Sequence, residues 1–357
     1  MLNRLKSVFD FLNFTNTDAA LIFSGENRRY YSDFDGSTGY CVCLSNGQAF
    51  FLADSRYILQ ATQQCTGFIA EPISGEKSIY DFFKKHNVSK LAVETQFITW
   101  DYANALISNT DIEELISIDE ITRSDRIIKD EAEINYLKKA AHYADEAFSY
   151  IVGIINEGMT ELQINFELQT FLRRFDDVEG TMNRYIVASG PRSALPHGLA
   201  TSRKIQKGDF VTMDYGCCVG GYWSDIARTI CIGKASTKQK EIYDAVREAH
   251  RVGMKALKPG ITGKQVDAAA RAVIEDGGFG KYFTHGLGHG LGLTVSELPR
   301  LTQAPEGELI LKPGMVATVE PGIYIENFGG VRIENDMLIT ETGSQSMTNS
   351  TTELIEI

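Results

Sequence analysis

Five residues in the second half of the chain have side chains of the kind that bind divalent metal ions. They are four carboxylic acids and one imidazole: Asp214, Asp225, His289, Glu320 and Glu334. Four carboxylates that meet in one place repel one another unless cations neutralise them, because uncompensated charge is costly away from water. If the fold brings these side chains together, the sequence predicts a pair of bound divalent ions.

Strand and turn patterns place three of these residues. Asp214 and Asp225 flank the glycine-rich segment GCCVGG, which predicts a hairpin with the two carboxylates on neighbouring strands. In the strand pattern VRIEN, Arg332 and Glu334 lie two residues apart, so their side chains point to the same face. We therefore expect Arg332 to accompany the acidic cluster.

Two further segments carry the glutamate and the histidine. Glu320 ends a strand pattern, because proline and glycine follow it. The segment THGLGHGLGL has glycine at 286, 288, 290 and 292, which excludes a stable helix and lets the backbone pass close to a bulky neighbour. It lacks the GxGxxG spacing of a nucleotide-binding loop. His285 and His289 are then its candidates for chemistry.

These segments belong to a chain of two predicted domains, since 357 residues exceed the usual size of one. Residues 1–125 alternate short apolar runs with helix-like stretches, an α/β layout that opens with an amphipathic helix over residues 1–14. Residues 126–357 show an α+β pattern whose short connections predict antiparallel strands. Capping boxes predict three helix starts there, at Thr160 with Gln163, Ser236 with Gln239 and Thr262 with Gln265.

The composition of the chain limits which binding partners and which cellular location we expect for the protein. The formal net charge of -12 argues against nucleic acid or an anionic membrane as a partner. No apolar run reaches the roughly 18 residues of a membrane span, and charged residues interrupt the N-terminal pattern, unlike a signal peptide. We therefore expect a cytoplasmic protein. Its six cysteines form no CxxC motif, which favours reduced structural thiols.

The motifs around the candidate residues resemble those of a known family. The chain contains SGPRSALPHG, GDFVTMDYG, GYWSDIARTI, HGLGHGLGL, VEPGIY and GGVRIEN. Together they resemble the pita-bread (creatinase/methionine aminopeptidase-like) metallopeptidases, in the branch of Xaa-Pro aminopeptidases and Xaa-Pro dipeptidases (prolidases). The segments ENRRYYSDFDGSTGY and LADSRY resemble the creatinase-like N-terminal domain of that branch. The resemblance implies an α+β pita-bread catalytic domain at 126–357 and a smaller α/β creatinase/prolidase-like domain at 1–125.

The resemblance also implies a role for each candidate residue. Asp214, Asp225, His289, Glu320 and Glu334 match the ligands of a dinuclear metal centre, in order. Glu320 would also accept a proton from the attacking water. His197 and His285 match imidazoles that flank the reaction and contact substrate, and Arg332 would orient the ligands. Oxygen ligands with one imidazole suit manganese, and also cobalt, zinc or iron.

Two positions depart from the family pattern. Where the family has a second histidine, seven residues after the ligand histidine, this chain has Ser296, which we expect to contact substrate. The motif Asp-x-Thr-Arg-Thr has alanine at Ala227 in place of its first threonine. Serine cannot exchange a proton near neutral pH as imidazole can. Loss of a placed acid/base group costs roughly a hundredfold to ten-thousandfold in rate.

The favoured hypothesis is an enzyme, a metallo-aminopeptidase that hydrolyses the bond between an N-terminal residue and proline. Its substrate would be a peptide with proline at the second position, and the resemblance implies a homodimer. Two alternatives remain open. One is an Xaa-Pro dipeptidase limited to two-residue substrates. The other is a metal-binding or peptide-binding relative with impaired catalysis, which Ser296 and Ala227 favour.

Overall fold

The computed structural model describes residues 4–357, and the chain divides into two compact units, Met1–Arg126 and Ile127–Ile357. None of the helices in the described part combines the length and apolar character that a bilayer crossing requires. The α-helices are α1 (Lys6–Thr15), α2 (Gly25–Ser32), α3 (Ile58–Gln64), α4 (Glu76–Lys85), α5 (Trp100–Asn109), α6 (Asp119–Ile127), α7 (Glu131–Ile154), α8 (Glu161–Leu172), α9 (Thr237–Ala256) and α10 (Gly263–Asp276).

Short strands and three 3₁₀ helices complete the secondary structure. The strands are β1 (Ala19–Ile22), β2 (Tyr40–Leu44), β3 (Ala49–Ala53), β4 (Ile69–Pro72), β5 (Lys90–Val93), β6 (Glu114–Ser117), β7 (Val178–Thr181), β8 (Ile186–Ser189), β9 (Phe210–Tyr215), β10 (Cys217–Val219), β11 (Tyr222–Trp223), β12 (Ile226–Cys231), β13 (Gly288–Gly290), β14 (Glu297–Leu301), β15 (Val316–Val319), β16 (Gly322–Ile325), β17 (Gly329–Arg332), β18 (Asn335–Ile339) and β19 (Ser344–Ser346). The 3₁₀ helices are Gly190–Ala194, Gly280–Tyr282 and Pro305–Glu308.

The first unit is a mixed six-stranded sheet in the order β4-β3-β2-β1-β5-β6. Strands β1 and β3 are buried along their whole length, as expected for the continuous apolar runs AALI and AFFLA. Helix α4 buries Ile79, Phe82 and Phe83, spaced three and one apart, in the same core as these strands. The α/β layout predicted for this part of the chain is confirmed.

The predicted N-terminal helix is present as α1. Its apolar residues Val8 and Leu12 are fully buried. Residues 1–3, which include Leu2 of the predicted apolar face, lie outside the described residues.

Capping boxes begin the four long helices of the second unit. The three predicted boxes are all present, at the starts of α8, α9 and α10. A fourth, which we did not predict, begins α7, where Asp130 and Glu133 bind each other's backbone N–H groups. Such a box satisfies two N–H groups that a helix start otherwise leaves without partners. Local sequence therefore sets where these helices begin.

Two hydrophobic cores organise the second unit. In one, α7 and α8 pack on β8, β9 and β12 through residues such as Phe148, Leu168 and Ile230. In the other, α9 and α10 pack on β15, β17 and β18 through residues such as Val246 and Val319. All the ladders between named strands of this unit are antiparallel, as predicted.

The strands of the two halves meet at β12 and β17. The N–H of Arg332 donates to Thr229 Oγ1 at 3.1 Å, and this hydroxyl donates to the carbonyl of Arg332 at 3.1 Å. Strand β12 also pairs with β9, with Ala227 opposite Asp214. The candidate residues of both halves therefore converge along this seam.

Two strand predictions need correction. The strand that carries Asp214 does pair with the strand that follows Asp225. However, GCCVGG is not a simple turn, because β10 and β11 form a separate hairpin that joins β7. The pattern VRIEN is not one strand, because β17 ends at Arg332 and β18 begins at Asn335. Glu334 lies between the two strands, and its N–H donates to the carbonyl of Ala227 at 3.0 Å.

Candidate metal centre and active site

Asp214 and Asp225 are placed by the β9–β12 pair. Asp214 lies near the end of β9, and Asp225 immediately precedes β12. Between them the chain passes so close to itself that a Cβ on Gly216 would lie 1.8 Å from the carbonyl oxygen of Ser224. The N–H of Asp225 donates to Asp336 Oδ2 at 3.1 Å. A close backbone crossing and a buried carboxylate therefore fix the position of Asp225.

His289 lies in β13, at the centre of the glycine-rich segment. A Cβ on Gly288 would lie 2.1 Å from the carbonyl oxygen of Thr318, and one on Gly290 would lie 2.0 Å from that of Leu298. The bulky neighbour that the glycines predicted is thus the backbone of the flanking strands β15 and β14. Glycine lets β13 fit between them, and this presents His289 to the site.

Backbone hydrogen bonds hold the two glutamates. Glu320 follows β15, and its N–H donates to the carbonyl of Leu287 at 2.8 Å. Glu334 is tied to Ala227 by the bond that interrupts the strand. Each glutamate is therefore anchored to a strand or segment that carries another of the candidate residues.

Four of the five candidate ligands converge directly. Ligand atoms of Asp225, His289 and Glu334 all lie within 4.8 Å of one another. His289 Nε2 is 3.5 Å from Glu320 Oε1 and 3.9 Å from Asp225 Oδ2. Asp214 joins this cluster through Arg332, whose Nη2 donates to Asp214 Oδ2.

The carboxyl groups of this cluster oppose one another's ionisation. Burial raises the pKa of Asp225 well above its usual range, and the charges of Asp214, Asp336 and Glu320 raise it further. Burial and the same kind of repulsion raise the pKa of Glu334. Burial raises the pKa of Glu320 to about 8, against the opposing effect of Arg332. The arrangement therefore favours a cation among these oxygens.

The hydrogen bonding of His289 tests whether the donor set fits a metal ion. Its Nδ1 is 3.1 Å from the carbonyl oxygen of Gly290, which can only accept, so Nδ1 carries the proton. Burial lowers the pKa of His289, so the ring is neutral and Nε2 presents a lone pair. That lone pair lies among carboxyl oxygens whose ionised forms can only accept hydrogen bonds. A divalent cation fits it, and this ring tautomer is the one that metal ligation requires.

Buried oxygens point to the same conclusion. Within residues 4–357, Asp225 Oδ1 and both carboxylate oxygens of Glu334 are buried and have no hydrogen-bond partner. Leaving a buried acceptor without a partner costs about 1–3 kcal/mol, and more for a charged group. Coordination of an ion would satisfy all three oxygens.

Beside the acidic cluster lies a hydrogen-bonded chain from Arg332 to His285. Arg332 Nη1 donates to Tyr324 Oη at 2.9 Å and to the carbonyl of Pro196 at 2.9 Å. Tyr324 Oη is 2.9 Å from His285 Nε2. Sequence reasoning missed Tyr324, since a tyrosine in a strand pattern is most simply a packing residue. No local signal could reveal its contact with a histidine 39 positions away.

The direction of this chain follows from the ring of His285. Its Nδ1 lies 2.7 Å from the carbonyl oxygen of Gly286, so Nδ1 donates. Burial lowers the pKa of His285 to about 4, and the nearby charges of Arg332 and Arg271 lower it as well. The neutral ring then accepts at Nε2 from the Tyr324 hydroxyl, and this hydroxyl accepts from Arg332.

His197 and Ser296 are exposed residues that lie outside the helices and strands. His197 follows the 3₁₀ helix Gly190–Ala194, next to the carbonyl of Pro196 that Arg332 binds. Ser296 precedes β14, and its hydroxyl accepts a hydrogen bond of 2.6 Å from Arg300 Nη1. Arg300, which sequence reasoning also missed, lies directly across the β13–β14 ladder from His289. The guanidinium of Arg300, bonded to the Ser296 hydroxyl, thus lies opposite the candidate ligand His289.

The arrangement suits hydrolysis of an amide bond. The acidic cluster with His289 can hold cations, and Glu320 at its edge can accept a proton from water. The guanidinium of Arg332 brings positive charge to one side of this cluster, where it would stabilise negative charge developing on a substrate oxygen, and His285 holds the Tyr324 hydroxyl beside it.

Comparison with known families covers almost the whole chain. Residues 135–341 match the model of metallopeptidase family M24, and residues 4–128 match the model of the creatinase/prolidase N-terminal domain.

Solved structures are similar over the same extent. An Xaa-Pro dipeptidase from Bacillus anthracis is 39% identical with a TM-score of 0.94, over 100% of this chain and 99% of that one. The prolidase from Pyrococcus horikoshii is 36% identical with a TM-score of 0.95, over 99% of this chain and 100% of that one. An X-Pro aminopeptidase from Thermotoga maritima is 33% identical with a TM-score of 0.88, over 96% and 98%.

Proposed function

Because the chain belongs to metallopeptidase family M24 and carries a creatinase/prolidase N-terminal domain, we propose that this hydrolase is an Xaa-Pro dipeptidase. The reaction is hydrolysis of the amide bond between a first residue and a C-terminal proline. The single observation that carries a metal-dependent hydrolysis is the convergence of Asp225, His289 and Glu334 within 4.8 Å, beside Glu320. The choice of dipeptides rests on the similarity to two proteins that are named Xaa-Pro dipeptidase and prolidase.

This proposal revises the aminopeptidase hypothesis favoured by the sequence. The aminopeptidase from Thermotoga maritima supports that reading, but at lower identity and a lower TM-score than the two dipeptidases. The dipeptidase alternative is therefore the better supported of the two.

The proposed centre holds two divalent ions on five residues: Asp214, Asp225, His289, Glu320 and Glu334. The ligands suit manganese, with cobalt, zinc and iron as alternatives. When bound, such ions lower the pKa of a water molecule and polarise a carbonyl group. Three finer statements remain predictions: that the bound metal is manganese, that the protein forms a homodimer and that it acts in the cytoplasm. The domain limits 1–125 and 126–357 also remain predictions.

The other proposed roles belong to this chain's own side chains. A carboxylate oxygen of Glu320 takes the proton of the attacking water. His285 and His197 contact the substrate on either side of the scissile bond. His197 donates a hydrogen bond as negative charge develops on the substrate carbonyl oxygen, whereas His285 keeps its bonds to Gly286 and Tyr324 and holds the Tyr324 hydroxyl in place. Arg332 keeps Asp214 and Tyr324 in place through its two Nη atoms. Ser296 lies beside the substrate and binds Arg300.

A panel of substrates tests the proposal and separates it from its rivals. The purified protein would be loaded with manganese and given Xaa-Pro dipeptides, matched Xaa-Pro-Xaa tripeptides and dipeptides without proline, with proline release as the readout. We expect cleavage of the Xaa-Pro dipeptides alone. Cleavage of the tripeptides at a similar kcat/KM would favour the aminopeptidase. Bound metal without any turnover would favour the impaired relative.

A matched pair of variants ties the activity to the acidic cluster. Glu334→Gln removes one charge from a buried carboxyl that lies in the cluster, whereas Glu341→Gln removes one from an exposed turn. We expect loss of metal and of activity in the first variant only. Equal activity of both variants would contradict the proposed centre.

A further inference from the structure

Helix α10 holds the segment that carries His285. Asp267 and Arg271 lie one turn apart on this helix and form a two-bonded pair, with Arg271 Nε and Nη2 each 2.9 Å from one carboxylate oxygen. Asp267 is fully buried, and the Arg271 side chain is 20% exposed. A planar guanidinium matches a carboxylate in this way, and lysine cannot reproduce the geometry.

The pair binds the backbone on both sides of His285. Arg271 Nη1 donates to the carbonyl of Phe283 at 3.1 Å, and Nη2 donates to the carbonyl of His285 itself at 2.7 Å. Asp267 Oδ1 accepts from the N–H of Leu287 at 2.9 Å. Three alternate residues of the segment are thus held by one ion pair.

Further contacts restrain the pair itself. The guanidinium carbon of Arg271 lies 4.2 Å from the centre of the Phe283 ring. Gln303 Nε2 donates to Asp267 Oδ2 at 2.7 Å. Each oxygen of Asp267 therefore has two donors, which leaves the pair little freedom to move.

We propose that Asp267 and Arg271 are positioning residues for His285, an inference that rests on the proposed dipeptidase function. The His285 segment has four glycines nearby, so its own sequence does not fix its backbone. The ion pair supplies the missing restraint and sets the place of the imidazole relative to Tyr324. The carbonyl of Leu287 also accepts from the N–H of Glu320, so the same restraint extends to the proton acceptor.

The alternative is an ion pair that only stabilises the fold. A buried pair does not by itself demonstrate a functional role, and breaking one destabilises many proteins. The two roles differ in what happens when His285 is absent. If the pair positions His285, breaking it should no longer affect kcat once His285 has been removed. If the pair only stabilises the fold, breaking it should have the same effect with or without His285.

A double-mutant cycle separates them. Arg271→Lys keeps the charge beside Asp267 but cannot make four directed bonds. With manganese and an Xaa-Pro dipeptide, we expect kcat to fall about tenfold to a hundredfold, since a misplacement of about 1 Å can cost about a hundredfold. In a His285→Ala background the same substitution should leave kcat within about twofold, because the two effects act through one group.

The control is Arg251→Lys. Arg251 also binds a carboxylate with Nε and Nη2 on one helix, that of Glu248, but the pair is on the surface. We expect no change in kcat there. An equal loss in the wild-type and His285→Ala backgrounds, or no loss in either, would overturn the inference. If Arg271→Lys is not recovered folded, Asp267→Asn enters the same cycle.

A measurement without substrate keeps the inference separate from the proposed function. The imidazole resonances of His285, assigned with His285→Gln, should shift in Arg271→Lys and stay in place in Arg251→Lys. Movement of these resonances in a protein that cleaves no Xaa-Pro dipeptide would refute the function and support the positioning role. If the protein cleaves the dipeptide but Arg271→Lys changes neither kcat nor the His285 resonances, the positioning role alone would be refuted.

Discussion

Substitution of Tyr324 by phenylalanine tests whether the hydrogen-bonded chain between Arg332 and His285 acts in the reaction. The hydroxyl makes two bonds of 2.9 Å, one from a charged guanidinium and one to a neutral imidazole. Tyr324 is only 8% exposed, so water has little access to replace these bonds. Phenylalanine leaves the ring in place and removes only the oxygen.

The magnitude follows from those two bonds. A hydrogen bond to a charged group contributes about 1.5–3 kcal/mol and a neutral one about 1 kcal/mol. If about 2–3 kcal/mol of this is lost from the transition state, the rate falls about 30-fold to 150-fold. We expect the loss in kcat rather than in KM, because the bonds orient groups around the reacting carbonyl and not around the rest of the substrate.

The assay is steady-state hydrolysis of an Xaa-Pro dipeptide with bound metal measured in parallel. Tyr243→Phe is the matched control, since this buried tyrosine donates one bond of 3.1 Å to the carbonyl of Thr352, which is not one of the candidate site residues. It should lower stability by about 1 kcal/mol without changing kcat. A kcat for Tyr324→Phe within twofold of wild type at full metal content would refute the reasoning.

Three further outcomes follow from other parts of the structure. Chelation should lower the midpoint of thermal unfolding, and added manganese should restore it, because the repelling carboxyls of Asp225 and Glu334 are then neutralised; an unchanged midpoint would argue against a metal in this cluster. Ser296→His, measured as kcat near neutral pH, should raise turnover about tenfold or more if serine marks a lost acid/base group, and an unchanged rate would show that the pocket is built around serine. The six cysteines are all buried, and burial raises the pKa of Cys43 to about 12, so a thiol reagent at pH 8 should label the native protein far more slowly than the unfolded protein.

Local signals predicted the elements of this fold well. The capping boxes at Thr160, Ser236 and Thr262 mark helix starts because both partners lie within one turn of each other. The box at Asp130 has the same form, although it was not among the predicted helix starts. Features that depend only on residues close in sequence, such as helix starts, could therefore be predicted from the order of those residues.

Contacts between distant segments could not be predicted in this way. The strand pattern VRIEN has the correct alternation, but it cannot show that the N–H of Glu334 leaves the ladder to bind Ala227. Nor can it show that the partners of Tyr324 are His285 and Arg332. The five candidate ligands could be chosen by residue type and motif, whereas the side chains that orient them depend on packing across the seam.

A count of formal charges favours two ions over one in the proposed centre. The four carboxylates of the ligand set contribute four negative charges, His289 is neutral, and the guanidinium of Arg332 contributes one positive charge through its bond to Asp214. For these six groups the sum is -3, so one divalent ion would leave them at -1 and two would bring them to +1. A centre that must stabilise negative charge developing on a carbonyl oxygen, and accept a dipeptide with a free carboxylate, works better with the positive sum. The same count explains why His289 should be neutral. A protonated His289 would add one positive charge to the cluster, but unlike a metal ion it has no open coordination position for the water and carbonyl group that take part in hydrolysis.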